Sequence, residues 1–412
     1  MKGSFVDDLM LSASYSNLNE DIDVYMQSGN NEKYFYLYDA LWTTSGSGFS
    51  WNEGSTTDRT NSTMGSNPSL DYIHRKEFSV SLRGSFFNKL ISADLTFFNT
   101  DMDGFIVQNL TTFPSHLQGG LNSGTFMPAI NNNIQNRKGL DFSITAQKQF
   151  GDVFAQLGFV GTYLSTNNKK YDELVEYDYL HKEGRPIDAL WGYKCLGFYS
   201  TSDFNYNEET GKYTLKSDLP TPKIGGTIQP GDLKYEDVNG DGAIDSKDQV
   251  ELGKSGTFGS PFTFGVNLTL KYKNFTLFIL GNGQFGAYGM KNNGYYYMSG
   301  DAKYSVNVRN RWTSDASAAT ATHPRLTTQN SANNAAASTF WMYSTDRFNL
   351  RKVQLTYDFP EEMFNGKWVK ALSVYVTGND LLTIAKERKL METTVGYAPQ
   401  TRFYNLGVNV TL

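Results

Sequence analysis

The sequence predicts an all-β chain: an antiparallel transmembrane β-barrel wall of about ten strands, with short periplasmic turns and long extracellular loops. Three observations carry that expectation. Apolar and polar residues alternate with period two from one end of the chain to the other. The connections between the alternating segments switch strictly between tight turns and long loops, so the two kinds fall on opposite sides of the sheet. The 412 residues are rich in aromatics, with 28 Phe and 26 Tyr, while mean hydropathy is only −0.46. No run approaches the ~18 apolar residues of a spanning helix. A barrel wall has that signature because lipid-facing and lumen-facing residues alternate.

The strands follow in order, starting near Phe5, Leu70, Lys89, Ile134, Val153, Pro261, Phe275, Asp346, Val369 and Thr401. In the first, Leu9, Leu11, Ala13 and Tyr15 oppose Met10, Ser12, Ser14 and Ser16. In the second, Phe78, Val80, Leu82 and Phe86 oppose Ser79, Ser81, Arg83 and Ser85. Leu140, Phe142, Ile144 and Ala146 alternate with Asp141, Ser143, Thr145 and Gln147. The clearest segment runs from Phe262 to Tyr272, where Phe264, Val266 and Leu268 face away from Gly265, Asn267 and Thr269. Leu372, Val374 and Val376 alternate with Ser373, Tyr375 and Thr377, and the last strand sets Val408 and Val410 against Asn409 and Thr411. Each strand is expected to be near the ~9–11 residues that cross a bilayer at a tilt. Asn88, Gly151-Asp152 and Tyr272–Asn274 mark tight turns, and Pro360–Lys367 a longer one. The chain ends on its last strand, which puts Leu412 and the segment from Met1 to Ser4 on the periplasmic side. Phe264, Val266, Leu268, Val374, Val408 and Val410 are expected to face lipid, and Asn267, Thr377 and Asn409 the lumen. The alternatives are a soluble antiparallel sandwich or an adhesin, which also alternate but do not sort their loops by side.

Several classes are excluded or disfavoured. The aromatic content and the net charge of −5 argue against disorder, and net acidity against a nucleic-acid partner. The lone Cys195 cannot form an internal disulfide. The first residues, MKGSFVDDL, lack the apolar stretch of a secretory signal. Catalytic signatures are missing, which reads as no enzyme: His74, His116, His181 and His323 are not paired at metal-ligand spacing, and no G-x-S-x-G occurs. Gly281-Asn282-Gly283-Gln284-Phe285-Gly286 fits G-x-G-x-x-G, but no amphipathic helix follows to hold a phosphate. Aromatic clusters at Tyr34–Tyr38, Trp191–Tyr199, Tyr295–Tyr297, Trp312 and Trp341 could stack on sugar rings or peptide side chains, although loop packing and an interfacial girdle explain them as well.

One motif is specific. Asp237, Asn239, Asp241, Gly242, Ala243, Asp245 and Asp248 fit the loop D-x-[DN]-x-[DN]-G that binds calcium. Asp237, Asn239 and Asp241 would give oxygens at positions 1, 3 and 5, Ala243 its carbonyl at position 7, and Asp245 a water-bridged contact at position 9. Asp248 replaces the usual Glu at position 12. The ion would be structural, ordering the long extracellular loop at 168–260. The competing reading is an Asx-rich turn without an ion.

Motifs along the whole chain resemble those of the C-terminal barrel part of SusC/RagA-like TonB-dependent outer-membrane transporters. Leu9 to Tyr15 is similar to the family's L-K-L-R-A-S-Y strand. Asn67-Pro68-Ser69-Leu70 matches N-P-x-L, although Tyr72 and Ile73 replace the usual aromatic-acid pair. Ile134 to Asp141 resembles I-x-N-x-G-x-E. Gly184-Arg185-Pro186, Gly192-Tyr193 and Gly197-Phe198-Tyr199 follow in family order, then Gly231-Asp232, Gly253 and Pro261 to Gly265. Phe348-Asn349-Leu350-Arg351 resembles Y-L-R-L, and Gly378 to Thr383 resembles G-x-N-L-x-T. The resemblance implies a 22-stranded barrel, of which residues 1–412 supply the C-terminal part, completed by a remaining N-terminal barrel segment in outer-membrane lipid of a Gram-negative bacterium. No plug domain is visible in the chain. The implied activity is nutrient import of oligosaccharides or peptides, with a SusD-like surface lipoprotein on the loops and the TonB complex acting through a plug. The alternative is a self-closed small outer-membrane barrel or surface adhesin without energised transport.

Overall fold

The computed structural model describes residues 5–20, 41–45, 50–51, 55–56, 59–108, 111, 128–298, 300, 304–329, 332–364, 368–393 and 398–412. The expectations for Met1–Ser4, Tyr34–Tyr38 and His116 lie outside these residues. Ten strands make one antiparallel sheet: β1 (Val6–Glu20), β2 (Ile73–Phe86), β3 (Ile91–Gln108), β4 (Ala129–Phe150), β5 (Val153–Lys170), β6 (Phe262–Tyr272), β7 (Phe275–Phe285), β8 (Arg347–Asp358), β9 (Ala371–Ala385) and β10 (Phe403–Thr411). Each pairs with its neighbour in sequence, so the sheet is a meander ordered β1 to β10. All ten fall on the segments that alternate in the sequence. The connections from β2 to β3, β4 to β5, β6 to β7 and β8 to β9 are short and join strand ends on one side of the sheet, and those from β1 to β2, β3 to β4, β5 to β6, β7 to β8 and β9 to β10 are long and join strand ends on the other. Strand length departs from expectation. β4 has 22 residues and β5 has 18, because both continue past the height of a bilayer on the loop side, and Lys170 still pairs with Ile134 there.

The register assigns the two faces. One lateral row runs Leu11–Leu82–Leu95–Phe142–Gly161–Phe264–Gly283–Phe348 across eight strands. It is apolar throughout, and its glycines sit beneath aromatic rings. A Cβ added at Gly161 would lie 2.5 Å from Phe142, and one at Gly283 2.5 Å from Phe264, so the rings occupy the space those side chains leave. Ring stacking then continues along this face: Phe262 and Phe285 lie 6.4 Å apart, Phe264 and Phe285 5.7 Å, and Phe264 and Phe348 6.2 Å. At the turn end the same face carries Tyr272 and Phe275, with Phe275 against Tyr357 at 4.8 Å. β6 joins the two aromatic bands with 11 residues. That is about 33 Å of strand, or about 25 Å of height at a barrel tilt of about 40°, the thickness of an outer-membrane apolar band.

The opposite face is polar and cross-linked strand to strand. Ser14 bonds Ser79 at 2.7 Å, Ser81 bonds Thr96 at 2.8 Å, Arg83 pairs with Asp94 at 2.6 Å, and Thr162 donates to Asp141 at 2.7 Å. Asn267, Thr377 and Asn409 lie on this face, while Val266, Val374 and Val408 lie on the other, as the alternation requires.

The first and last strands do not meet. Among the described residues β1 pairs only with β2 and β10 only with β9, so the sheet is open, which speaks against the self-closed small barrel. Leu11 and Leu406 are 71% and 75% exposed. Against lipid, each unpaired N–H or C=O on such an edge costs several kcal/mol; the wall needs further strands on both edges.

Candidate functional site

At the loop end, the described residues of 171–261 and 286–346 fold together into one cap. Five buried side chains, Tyr193, Leu233, Tyr235, Ile244 and Trp341, make its core. They come from both segments, because short ladders cross between them: Tyr193 N–H donates to the Ala337 carbonyl at 2.9 Å and Thr339 N–H to the Tyr193 carbonyl at 3.1 Å. The hub is Asp232, fully buried. Its carboxylate pairs with the Arg325 guanidinium at 2.8 Å and accepts from the Asn334 amide at 2.8 Å and the Gln229 N–H at 2.8 Å. Asn334 in turn accepts from Leu233 N–H, and its carbonyl takes the Trp341 indole N–H at 2.8 Å. Tyr235 donates to the Asn333 carbonyl at 2.7 Å. Burial, reinforced by the Asp203 and Asp232 charges, pushes the Tyr199 hydroxyl up to about 12, so it acts as a neutral group. Tyr193, Tyr199, Trp312 and Trp341 are all buried; these aromatics fill the cap and are closed to ligand stacking.

His323 sits in the same core, 7% exposed, edge-on to Trp341 at 5.5 Å. Among the described residues its Nε2 has no hydrogen-bond partner. Burial first, then the Lys291 charge, pushes it down to about 4. Unfolded, the imidazole takes its proton near 6.5; folded, it refuses it until near 4. Acid therefore favours the unfolded cap, and stability that is full above pH 6.5 is lost as pH falls from there toward 4. The urea midpoint of the cap, read by tryptophan fluorescence, is expected to fall between pH 7 and pH 4.5 and to fall less in His323→Gln.

The calcium-type loop forms one tight turn in the cap. Asp237 accepts from the N–H groups of Gly240 at 2.7 Å and Gly242 at 2.9 Å, and Asn239 accepts from Asp241 N–H at 3.0 Å. Asp241 accepts from Ala243 N–H at 2.9 Å, and that bond, with the Asn239 amide, holds its carboxyl below the usual range. Asp245 accepts from Lys247 N–H. Asp248, 1% exposed, accepts from Val238 and Asp245 N–H, both at 2.8 Å. Gly240 and Gly242 take φ of 73° and 80°, the left-handed conformation such a turn demands. The donors are all oxygen, the chemistry of a hard cation. Among the described residues, however, no three or more His, Cys, Asp or Glu side chains converge at metal-binding separation. The carboxylates brace the turn's own backbone.

Below the cap, on the polar face, two motifs that are remote in sequence meet. A β-bulge between Leu350 and Lys352 on β8 aims Arg351 along the lumen side, as bulges do. Its guanidinium bonds Asp380 at 2.6 Å and Asn282 at 2.9 Å. Asp380 has φ of 52°, and Thr383 donates to Asn349 at 3.0 Å. Asn282 belongs to the Gly281–Gly286 segment, whose glycines lie within and just after β7, with no helix following directly among the described residues; the segment is a glycine-rich strand end, as the sequence indicated. Sequence reasoning missed this cluster, since nothing local in the sequence links Asn282, Arg351 and Asp380.

No family model matches the chain. Among curated proteins, TonB-dependent receptor P26 of Formosa agariphila is 26% identical over 391 residues, 91% of this chain and 35% of that protein. TonB-dependent receptor P3 of the same organism is 24% identical over 49% of this chain. The chain is homologous to TonB-dependent receptors. It spans about a third of the length of the first of them. A solved structure of the RagAB peptide importer in its open-open state superposes on all of this chain and 41% of that one, with a TM-score of 0.66 at 17% identity. A second, in the closed-closed state, gives 0.64 at 18%. These two show a shared fold. The homology and the shared fold agree with an outer-membrane barrel wall, and the cap sits at the long-loop end of that wall.

Proposed function

We propose that the chain is the C-terminal part of a SusC-like, TonB-dependent nutrient importer, providing barrel wall and extracellular cap for uptake of oligosaccharides or peptides. The carrying observation is the open ten-strand sheet topped by two interlocked loops: a wall that needs more strands encloses a wide lumen, and a folded cap at its mouth offers a docking surface. A SusD-like surface lipoprotein would seat on that cap, and TonB would act through a plug outside residues 1–412. The peptide reading draws support from the RagAB likeness; the glycan reading rests on the family resemblance.

The test is genetic and biochemical. Deleting the gene should abolish growth on one substrate class, short peptides or oligosaccharides, and a surface lipoprotein should copurify with the tagged protein. Normal growth on both classes would overturn the reading.

Calcium is proposed as a structural ion at Asp237, Asn239, Asp241, the Ala243 carbonyl and Asp248, with Asp245 bridged by water. Millimolar calcium should then raise the melting temperature of the cap in the wild type and leave Asp241→Ala unchanged. Equal melting with calcium and with chelator would leave the Asx-turn reading.

A further inference from the structure

Where wall meets cap, between β8, β9, the helix α1 (Arg388–Thr393) and the start of the 286–346 segment, lies a cleft of about 420 Å³ lined by Lys291, Tyr296, Tyr343, Arg347, Asn349 and Arg351, among others. That is within the usual range for a small-molecule site. Its polar character is lopsided. Of its three cations, Arg351 is engaged by Asp380 at 2.6 Å and Lys291 has Glu387 only at 3.9 Å. Arg347 is half-buried, and among the described residues no carboxylate pairs with it. Arg351, a second guanidinium, and Tyr343 line the same cleft. The adjacent carboxylate of Asp346 is turned to the Gly286 N–H at 2.7 Å. A half-buried cation beside a second cation, and without a carboxylate of its own among the described residues, is unfavourable in the free protein, and a guanidinium's planar fork matches a carboxylate bidentately.

We propose that this cleft binds a carboxylate group of the transported substrate, with Arg347 as the bidentate donor and Lys291 as the second cation. The inference rests on the import reading and specifies its substrate class. Carboxylates reach such a site from acidic peptides or from uronate-containing oligosaccharides, and the two sources are separable.

The test is calorimetric titration of the intact protein in detergent with four probes: an acidic oligopeptide, the same peptide with its carboxylates amidated, oligogalacturonate, and a neutral galacto-oligosaccharide. The expected result is that one carboxylated probe binds more tightly than its neutral counterpart, which identifies the source. Arg347→Gln should weaken that probe by about tenfold or more, the usual loss for a charged hydrogen bond, and leave the neutral one unchanged. Arg347→Lys should recover part of the loss, and Lys291→Gln should give a smaller one. Among the described residues Arg347 pairs with no carboxylate, so its variants should keep the heat-modifiable gel shift of a folded barrel. The proposal is overturned if the wild type binds neither carboxylated probe better than its neutral partner, or if Arg347→Gln weakens charged and neutral probes alike. Growth on a neutral substrate would in that case leave the import reading standing.

Discussion

Replacing Asp232 with Ala is expected to destabilise the extracellular cap by about 3 kcal/mol and to leave the wall intact. The variant strands the Arg325 guanidinium and removes the acceptor for the Asn334 amide and the Gln229 N–H. Breaking a buried ion pair from one side costs about 3–5 kcal/mol. Arg325 keeps 22% of its side chain in solvent, which places the expected cost at the low end. The Leu233, Asn334 and Trp341 bonds share the network, so the loss should spread to both loop segments. Hydrogen exchange should show protection falling together in 231–235 and 323–341, by about a hundredfold for 3 kcal/mol, with β6 to β9 unchanged. Asp232→Asn keeps the shape and some acceptor capacity and should lose less. Loss confined to one segment would mean that the two loops are not one folding unit.

The second large effect separates the faces of the wall. Val266 lies midway along β6, in the lateral row with Phe159 and Gly281; its neighbour Asn267 lies across Gly158 on the polar face. Arg at Val266 should cost about 2–4 kcal/mol, the price of a cation near the bilayer midplane. Arg at Asn267 should be much milder, because that side chain reaches the water-filled lumen. The two variants differ by one position in sequence, so strand propensity and register are matched. Comparable losses in refolding into lipid vesicles would mean that neither face meets lipid.

The wall was legible in the sequence because period-two alternation reports directly on a sheet with one lipid face and one wet face. All ten strands, the sorting of turns to one side, and the face of Val266 or Asn409 followed from that rule alone. Strand ends were less legible: nothing in the alternation of Ile134 to Gln147 says that β4 begins at Ala129, where pairing with Val107 and Gln108 continues above the bilayer. The aromatic clusters were ambiguous for a physical reason, since Trp341 or Tyr199 has the same composition whether it packs a core or stacks on a sugar. Asp232 stood out only as part of a Gly-Asp motif; its role depends on Arg325 and Asn334, about a hundred residues away. Arg347 had no signal at all, because an arginine opening a strand is ordinary until its lack of an anion is seen in three dimensions.

A stretch of outer-membrane wall has a lipid face and a lumenal face, and β6 should show both. The most direct test is cysteine-scanning along β6, from Phe262 to Tyr272, in a Cys195→Ser background of the intact protein in native membranes. A membrane-impermeant, water-soluble maleimide should label positions 265, 267 and 269 and spare 264, 266 and 268. Uniform labelling of both series, or labelling that follows no period of two, would mean that β6 has no lipid face.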